Sequence, residues 1–224
     1  MSLWIKICAN TSLEDARFAV DAGADAVGFV FAPSRRRVTP AQVAAIAPLL
    51  PETIEKIGVF VNATLDEIEA AVRQSGLTGV QLHSNVEADI PARLRERLGP
   101  TLHILRVVHF GPVAAEQAAF LAQDVHIDSL LVDSRTAKAV GGTGLTFDWT
   151  EARRTIFSKT AKVRFVAAGG LNPANVAEAI ETLRPWGVDV ASGVEAEPGR
   201  KDPGKVHSFI ANARGAVNSC EPQG

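Results

Sequence analysis

Short apolar runs, rich in β-branched residues, alternate with longer segments of helical period along the whole chain. The runs lie at 3–8 (LWIKIC), 26–31 (AVGFVF), 56–61 (KIGVFV), 79–83 (GVQLH), 103–110 (HILRVVHF), 129–133 (SLLVD), 163–168 (VRFVAA) and 188–191 (VDVA). In the first intervening segment Leu13, Ala16, Phe18, Ala19 and Val20 follow roughly helical spacing, and Gly23 is placed as a stop. In a later one Leu65, Ile68, Ala71 and Val72 fall at i, i+3, i+6 and i+7, and Thr64 with Glu67 forms a capping box. The periodicity is weaker for a fifth helix over 113–122 and a sixth over 148–158. Eight strands, each followed by a helix, predict an α/β fold of the (β/α)8 TIM-barrel type. An open doubly wound sheet would use fewer strands and one glycine turn after the first of them. Here the first strand ends in Cys8-Ala9-Asn10. The pattern predicts one barrel domain over 1–214 and a polar tail over 215–224, with no linker between.

Composition narrows the partners. The chain has 224 residues, 46% hydrophobic and 21% charged, which suits one barrel with a sizeable core. Lys and Arg number 23 against 25 Asp and Glu, for a net charge of −2. That balance gives no electrostatic case for nucleic acid or an anionic membrane. No apolar stretch reaches the ~20 residues of a membrane span. The start, MSLWIKIC, lacks a signal-peptide pattern, so a cytoplasmic location is expected. The two cysteines, Cys8 and Cys220, show neither a disulfide framework nor metal-ligand spacing, and no metal is expected.

Three of the last apolar runs end in glycine turns: Gly141-Gly142-Thr143-Gly144, Gly169-Gly170 and Ser192-Gly193. Glycine lets backbone N–H groups approach an anion closely, so such turns at one barrel rim suggest a phosphate site. Active sites of these barrels lie at the carboxyl ends of the strands. The polar residues there are Cys8, Asn10, Arg35 to Arg37, Asn62, His83, His109 and Asp133, with Asp189 inside the eighth strand and Glu195 after it. Cys8 and Asp133 come from nearly opposite sides of the ring. A thiolate and a carboxylic acid facing each other form a base and acid pair suited to an isomerisation. Packing of Cys8 in the core and capping by Asp133 remain the bland readings of the same residues. One arginine of the SRRRV cluster can grip a carboxylate in a bidentate fork, although such clusters are commonly just solvated. His83 fits a substrate contact or a satisfied half-buried histidine equally well.

The blocks KIC at 6–8, DAVGFVFAPS with the following Arg at 25–36, GVFVN at 58–62 and VQLH at 80–83 stand in the order of a known family. So do LLVDS at 130–134, GGTGLTFDW at 141–149, AGGLNPANV at 168–176 and VDVASGVEAEPGRKD at 188–202. The chain resembles the phosphoribosylanthranilate isomerases of tryptophan biosynthesis over nearly its whole length. The resemblance implies a cofactor-free Amadori rearrangement of a small-molecule substrate, N-(5-phosphoribosyl)anthranilate, from aminoaldose to aminoketose. It implies Asp133 as the acid that protonates the furanose ring oxygen and Cys8 as the base that removes the C2′ proton. It further implies Arg36 as the carboxylate anchor, with Arg35 and Arg37 as rivals, and His83 as a substrate contact. Gly142, Thr143, Gly144, Gly169, Gly170, Ser192 and Gly193 would form the phosphate cradle.

The chain departs from the family pattern at Ala9, Ser84 and Ala191. If the backbone at Ala9 required positive φ, alanine there would cost about 1 kcal/mol or more against glycine. A phosphate-sugar-binding barrel without turnover is the second reading. A related aminoaldose isomerase is the third, although such chemistry usually places an aspartate where Cys8 stands. The oligomeric state, monomer or homodimer, is left open.

Overall fold

Trp4–Ile7 (β1) pairs in parallel with Ala26–Val30 (β2) on one side and with Gly187–Val190 (β8) on the other. This closes the sheet into a ring, with Glu55–Phe60 (β3), Gly79–Leu82 (β4), His103–His109 (β5), Ser129–Asp133 (β6) and Arg164–Ala168 (β7) in sequence order between them. The structure, a computed structural model, describes residues 3–83, 87–133, 148–159 and 162–220. The expected eight-stranded parallel barrel is thus observed.

Helices follow the strands: Leu13–Asp21 (α1), Pro40–Ile46 (α2), Leu65–Ser75 (α3), Ile90–Leu98 (α4), Ala114–Leu121 (α5), Trp149–Ala152 (α6), Val176–Leu183 (α7) and Pro203–Cys220 (α8). Their starts are set locally. Ser12 caps α1, and Thr39–Gln42 and Thr64–Glu67 form capping boxes on α2 and α3. The expected sixth helix is only one α-helical turn, continued by a π-helical turn over Arg153–Phe157. The boundary expected at 214 falls inside α8, because Ala213 and Ala216 face the core at helical spacing and hold the helix down. No helix among the described residues is long and apolar enough to cross a membrane.

Strand residues alternate between two cores, as a period of two requires. Ile5, Ile7, Val27 and Phe29 pack outward under the helices. Trp4, Ala26, Ile57, Leu105, Val107, Leu131, Val166 and Ala168 fill the barrel interior. The amino-terminal end of that interior is plugged. Trp4 and Trp186 stack at 5.2 Å, and Trp4 Nε1 donates to Glu55 Oε1 at 3.0 Å. Glu55 Oε2 lies 2.5 Å from His103 Nδ1, and His103 Nε2 lies 2.8 Å from Ser129 Oγ. The Arg164 guanidinium covers Trp186 at 4.7 Å. Chain alternation therefore leaves the next inward positions, Lys6, Cys8 and Gln81 among them, to the upper barrel.

Candidate active site

Cys8 follows β1 directly, and its N–H donates to Val190 O at 2.8 Å, continuing the pairing with β8. The chain then turns sharply through Ala9, whose φ is +64°. Asn10 locks this turn, with Nδ2 donating to Ile7 O at 2.8 Å and Gly28 O at 3.2 Å. Ala9 therefore does occupy the left-handed region that its departure from the family pattern brought into question. Its methyl is buried against Cys8 and Val59. Gly28 on β2 makes room beside the thiol: a Cβ there would meet Cys8 Sγ at 2.7 Å and Lys6 Cε at 3.1 Å.

Under Cys8, on the same strand face, lies Lys6. Its side chain is fully buried, and Nζ donates to Gln81 Oε1 and Asp189 Oδ1, each at 2.8 Å. Burial lowers the Lys6 pKa, but Asp189 and Cys8 outweigh it, and the net shift is upward. Burial pushes the Cys8 thiol up, opposed by the Lys6 ammonium and reinforced by Asp189.

Around the rest of the mouth stand His83 after β4, His109 at the end of β5 and Asp133 at the end of β6. Asp133 is buried and in register with His109, and the His83 and His109 rings lie 5.8 Å apart. His83 Nε2 sits 3.2 Å from Gln81 Nε2, while His109 Nδ1 is buried with no hydrogen-bond partner among the described residues. Cys8, just after β1, and Asp133, at the end of β6, thus stand three strands apart around the ring.

Of the three neighbouring arginines, Arg35 and Arg37 are exposed, whereas Arg36 turns toward the barrel. Arg36 Nε donates to Glu195 Oε1 at 2.8 Å and Nη2 to Oε2 at 2.6 Å, a bidentate fork. Glu195 opens a short strand, Glu195–Glu197 (β9), paired antiparallel with Arg200–Lys201 (β10). The buried Lys201 Nζ reaches Glu195 Oε1 at 3.4 Å and Ala191 O at 3.1 Å. Burial raises the Glu195 pKa, but Arg36 and Lys201 hold its carboxyl below the ordinary range. Burial pulls Lys201 down against the opposing charge of Glu195.

Gly169 and Gly170 both take positive φ, +84° and +70°, after β7. Gly193 lies in a 3-10 turn over Ser192–Val194, where a Cβ would stand 1.9 Å from Leu171 O. Two of the three glycine turns therefore meet edge to edge. Gly142, Thr143 and Gly144 lie outside the described residues, as does Ser84. No group of three His, Cys, Asp or Glu among the described residues could hold a metal ion.

Lys6, Gln81 and Lys201 join the site only in the folded structure. A lysine two positions before the cysteine, and hence on the same strand face, was the available signal for the first. Away from the mouth, a cavity of about 1210 Å³ runs between α5 and the π-helical turn down to His103 and Glu55. It shares no residue with Cys8, Arg36 or Asp133.

A family model described as N-(5'phosphoribosyl)anthranilate (PRA) isomerase matches residues 5–212. An N-(5'-phosphoribosyl)anthranilate isomerase of Trichlorobacter lovleyi is 41% identical over 95% of this chain and 98% of its own length. One from Roseiflexus castenholzii is 42% identical over 95% and 99%. The crystal structure of the Thermotoga maritima phosphoribosyl anthranilate isomerase superposes with a TM-score of 0.83 at 38% identity, covering 95% of this chain and 99% of that one. Another solved isomerase, in complex with reduced 1-(o-carboxyphenylamino)-1-deoxyribulose 5-phosphate, is similar with a TM-score of 0.80 and 36% identity, over 95% of this chain and 99% of its own. With a match spanning nearly every strand and helix of the barrel, the chain belongs to the N-(5'-phosphoribosyl)anthranilate isomerase family.

Proposed function

We propose that the protein isomerises N-(5-phosphoribosyl)anthranilate to 1-(2-carboxyphenylamino)-1-deoxyribulose 5-phosphate in tryptophan biosynthesis. The single observation that carries this is the mouth of the barrel, where Cys8 and Asp133 stand on separate strands inside a family-wide match. Asp133 protonates the furanose ring oxygen as the ring C1′–O bond breaks, leaving a protonated Schiff base between C1′ and the anthranilate nitrogen. Cys8, as thiolate, takes the C2′ proton. The C–H electron pair then forms the C1′–C2′ double bond of an enolamine, and the iminium charge is discharged onto nitrogen. Tautomerisation of the enolamine gives the aminoketose. No external oxidant or reductant enters, because oxidation of C2′ is balanced by reduction of C1′ within one molecule.

Two anionic handles orient this reaction. The Gly169-Gly170 and Ser192-Gly193 turns suit the phosphate, together with Gly142, Thr143 and Gly144. Arg36 suits the anthranilate carboxylate. Glu195 takes the Nε and Nη2 edge of its guanidinium, so a substrate carboxylate would use the Nη1 side. Arg35 and Arg37 are both exposed. His83 lines the same mouth as a substrate contact. The reaction needs no cofactor and takes place in the cytoplasm, in a monomer or homodimer.

A steady-state fluorescence assay following loss of the anthranilate adduct tests the reading. Turnover by the wild type is expected. Asp133→Asn abolishes it while leaving the affinity for a reduced product analogue within about tenfold, as expected for a group acting in the transition state. A wild type that binds the analogue and never turns over would be a sugar-phosphate-binding barrel instead.

A further inference from the structure

We infer that Lys6 is a positioning residue for this reaction: its ammonium, pinned by Gln81 and Asp189 beneath Cys8, supplies the charge that lets a buried thiol work as a thiolate. The inference rests on the isomerase reading for its consequence, since that reading gives the thiolate its task.

A fully buried ammonium is costly unless paired. Lys6 is paired, and its ammonium is the counter-charge of the buried Asp189 carboxylate and a donor to the buried Gln81 amide. Its two fixed partners hold Nζ in one place, on the strand position directly below Cys8. Gly28 confirms the proximity, because the missing Cβ there would touch both the Cys8 sulfur and the end of the Lys6 side chain.

Charge accounting then separates the roles of the three groups. With Cys8 as a thiol, Lys6 and Asp189 cancel. Loss of the thiol proton leaves one net negative charge in a low-dielectric site, shared around a central cation. Replacing Lys6 by an uncharged residue would set the thiolate beside the Asp189 carboxylate alone, and the thiol would hold its proton more tightly. Neutralising Asp189 does the reverse, because deprotonation then removes a net positive charge. The other charges acting on this group are Lys201 on β10 and Arg36 after β2, both shared with Glu195. They contribute equally in each variant, and Asp133 across the mouth is likewise unchanged.

The test reads the thiol itself. The chain has no tyrosine and only two cysteines, so thiolate ultraviolet absorbance in a Cys220→Ser background reports Cys8 alone, with Cys8→Ser as the blank. Lys6→Met should raise the midpoint by about 1 pH unit or more, and Asp189→Asn should lower it. Lys6→Met should also cut kcat about a hundredfold, the scale of general-base catalysis, with KM nearly unchanged. A midpoint that Lys6→Met leaves in place overturns the inference. Should that variant fail to fold, the double variant Lys6→Met/Asp189→Asn, which strands no buried charge, is compared with Asp189→Asn: a higher midpoint in the double variant supports the role of Lys6, and an equal or lower one overturns it. A wild type without turnover would overturn the isomerase reading, while the midpoints would still decide whether Lys6 governs the thiol.

Discussion

Glu195 grips Arg36 through both carboxylate oxygens, at 2.8 and 2.6 Å, across 159 residues of sequence. The pairing raises the Arg36 pKa through the Glu195 hydrogen bond and draws the guanidinium out of the exposed loop that carries it. Glu195→Gln keeps the shape and removes the charge. It should raise KM for the substrate about tenfold through lost orientation of Arg36, with a smaller change in kcat. Steady-state kinetics check the split.

The same carboxyl predicts an acid-side stability change. Its folded pKa lies below the unfolded value, so its contribution is complete above the unfolded carboxylate pKa of about 4.3 and is lost as pH falls through the lower, folded value. Between neutral pH and about pH 3, the urea midpoint of the wild type should therefore fall further than that of Glu195→Gln. Parallel curves for the two proteins would contradict this.

Ala9, at φ +64°, shows how a strained residue is retained. Left-handed backbone costs alanine about 1–2 kcal/mol, but glycine gives back about 0.5–1 in unfolded-state entropy and about 0.8 for the buried methyl. The terms nearly cancel. Ala9→Gly should shift stability by less than about 1 kcal/mol, whereas Ala9→Val, β-branched at positive φ, should lower Tm by about 5 °C or more. Thermal unfolding of the two variants measures both.

Gly193 has no such latitude, since a Cβ would stand 1.9 Å from a backbone oxygen, Leu171 O. Gly193→Ala must push the two turns apart. It should cost about 1–3 kcal/mol of stability and, with the turns in their proposed role of holding the substrate phosphate, raise KM more than it lowers kcat. Urea unfolding and kinetics report the two effects separately.

The barrel was legible because every strand announces itself by β-branched runs and nearly every helix by its period. The end of α8 was not, since Ala213 and Ala216 carry too little hydrophobicity to stand out in a polar stretch. The sixth helix fails after one turn, where the π-helical turn at Arg153–Phe157 breaks the 3.6 period that pattern-reading assumes. At the site, Cys8 and Asp133 could be found as strand-end residues, but three consecutive arginines are equivalent until the fold pairs one with Glu195. Lys6 was hidden for a different reason. A charged residue in a strand reads as a solvent-facing position, and only ring closure turns that face into an interior shared with Gln81 and Asp189, 75 and 183 residues away.

The plug of Trp4, Trp186, His103 and Glu55 closes the barrel base, so among the described residues the interior opens toward the carboxyl ends of the strands. Whatever leaves must retrace the path by which it came in. A product carrying the same phosphate and the same carboxylate as its precursor therefore meets every new arrival in the doorway, and it should inhibit by direct competition.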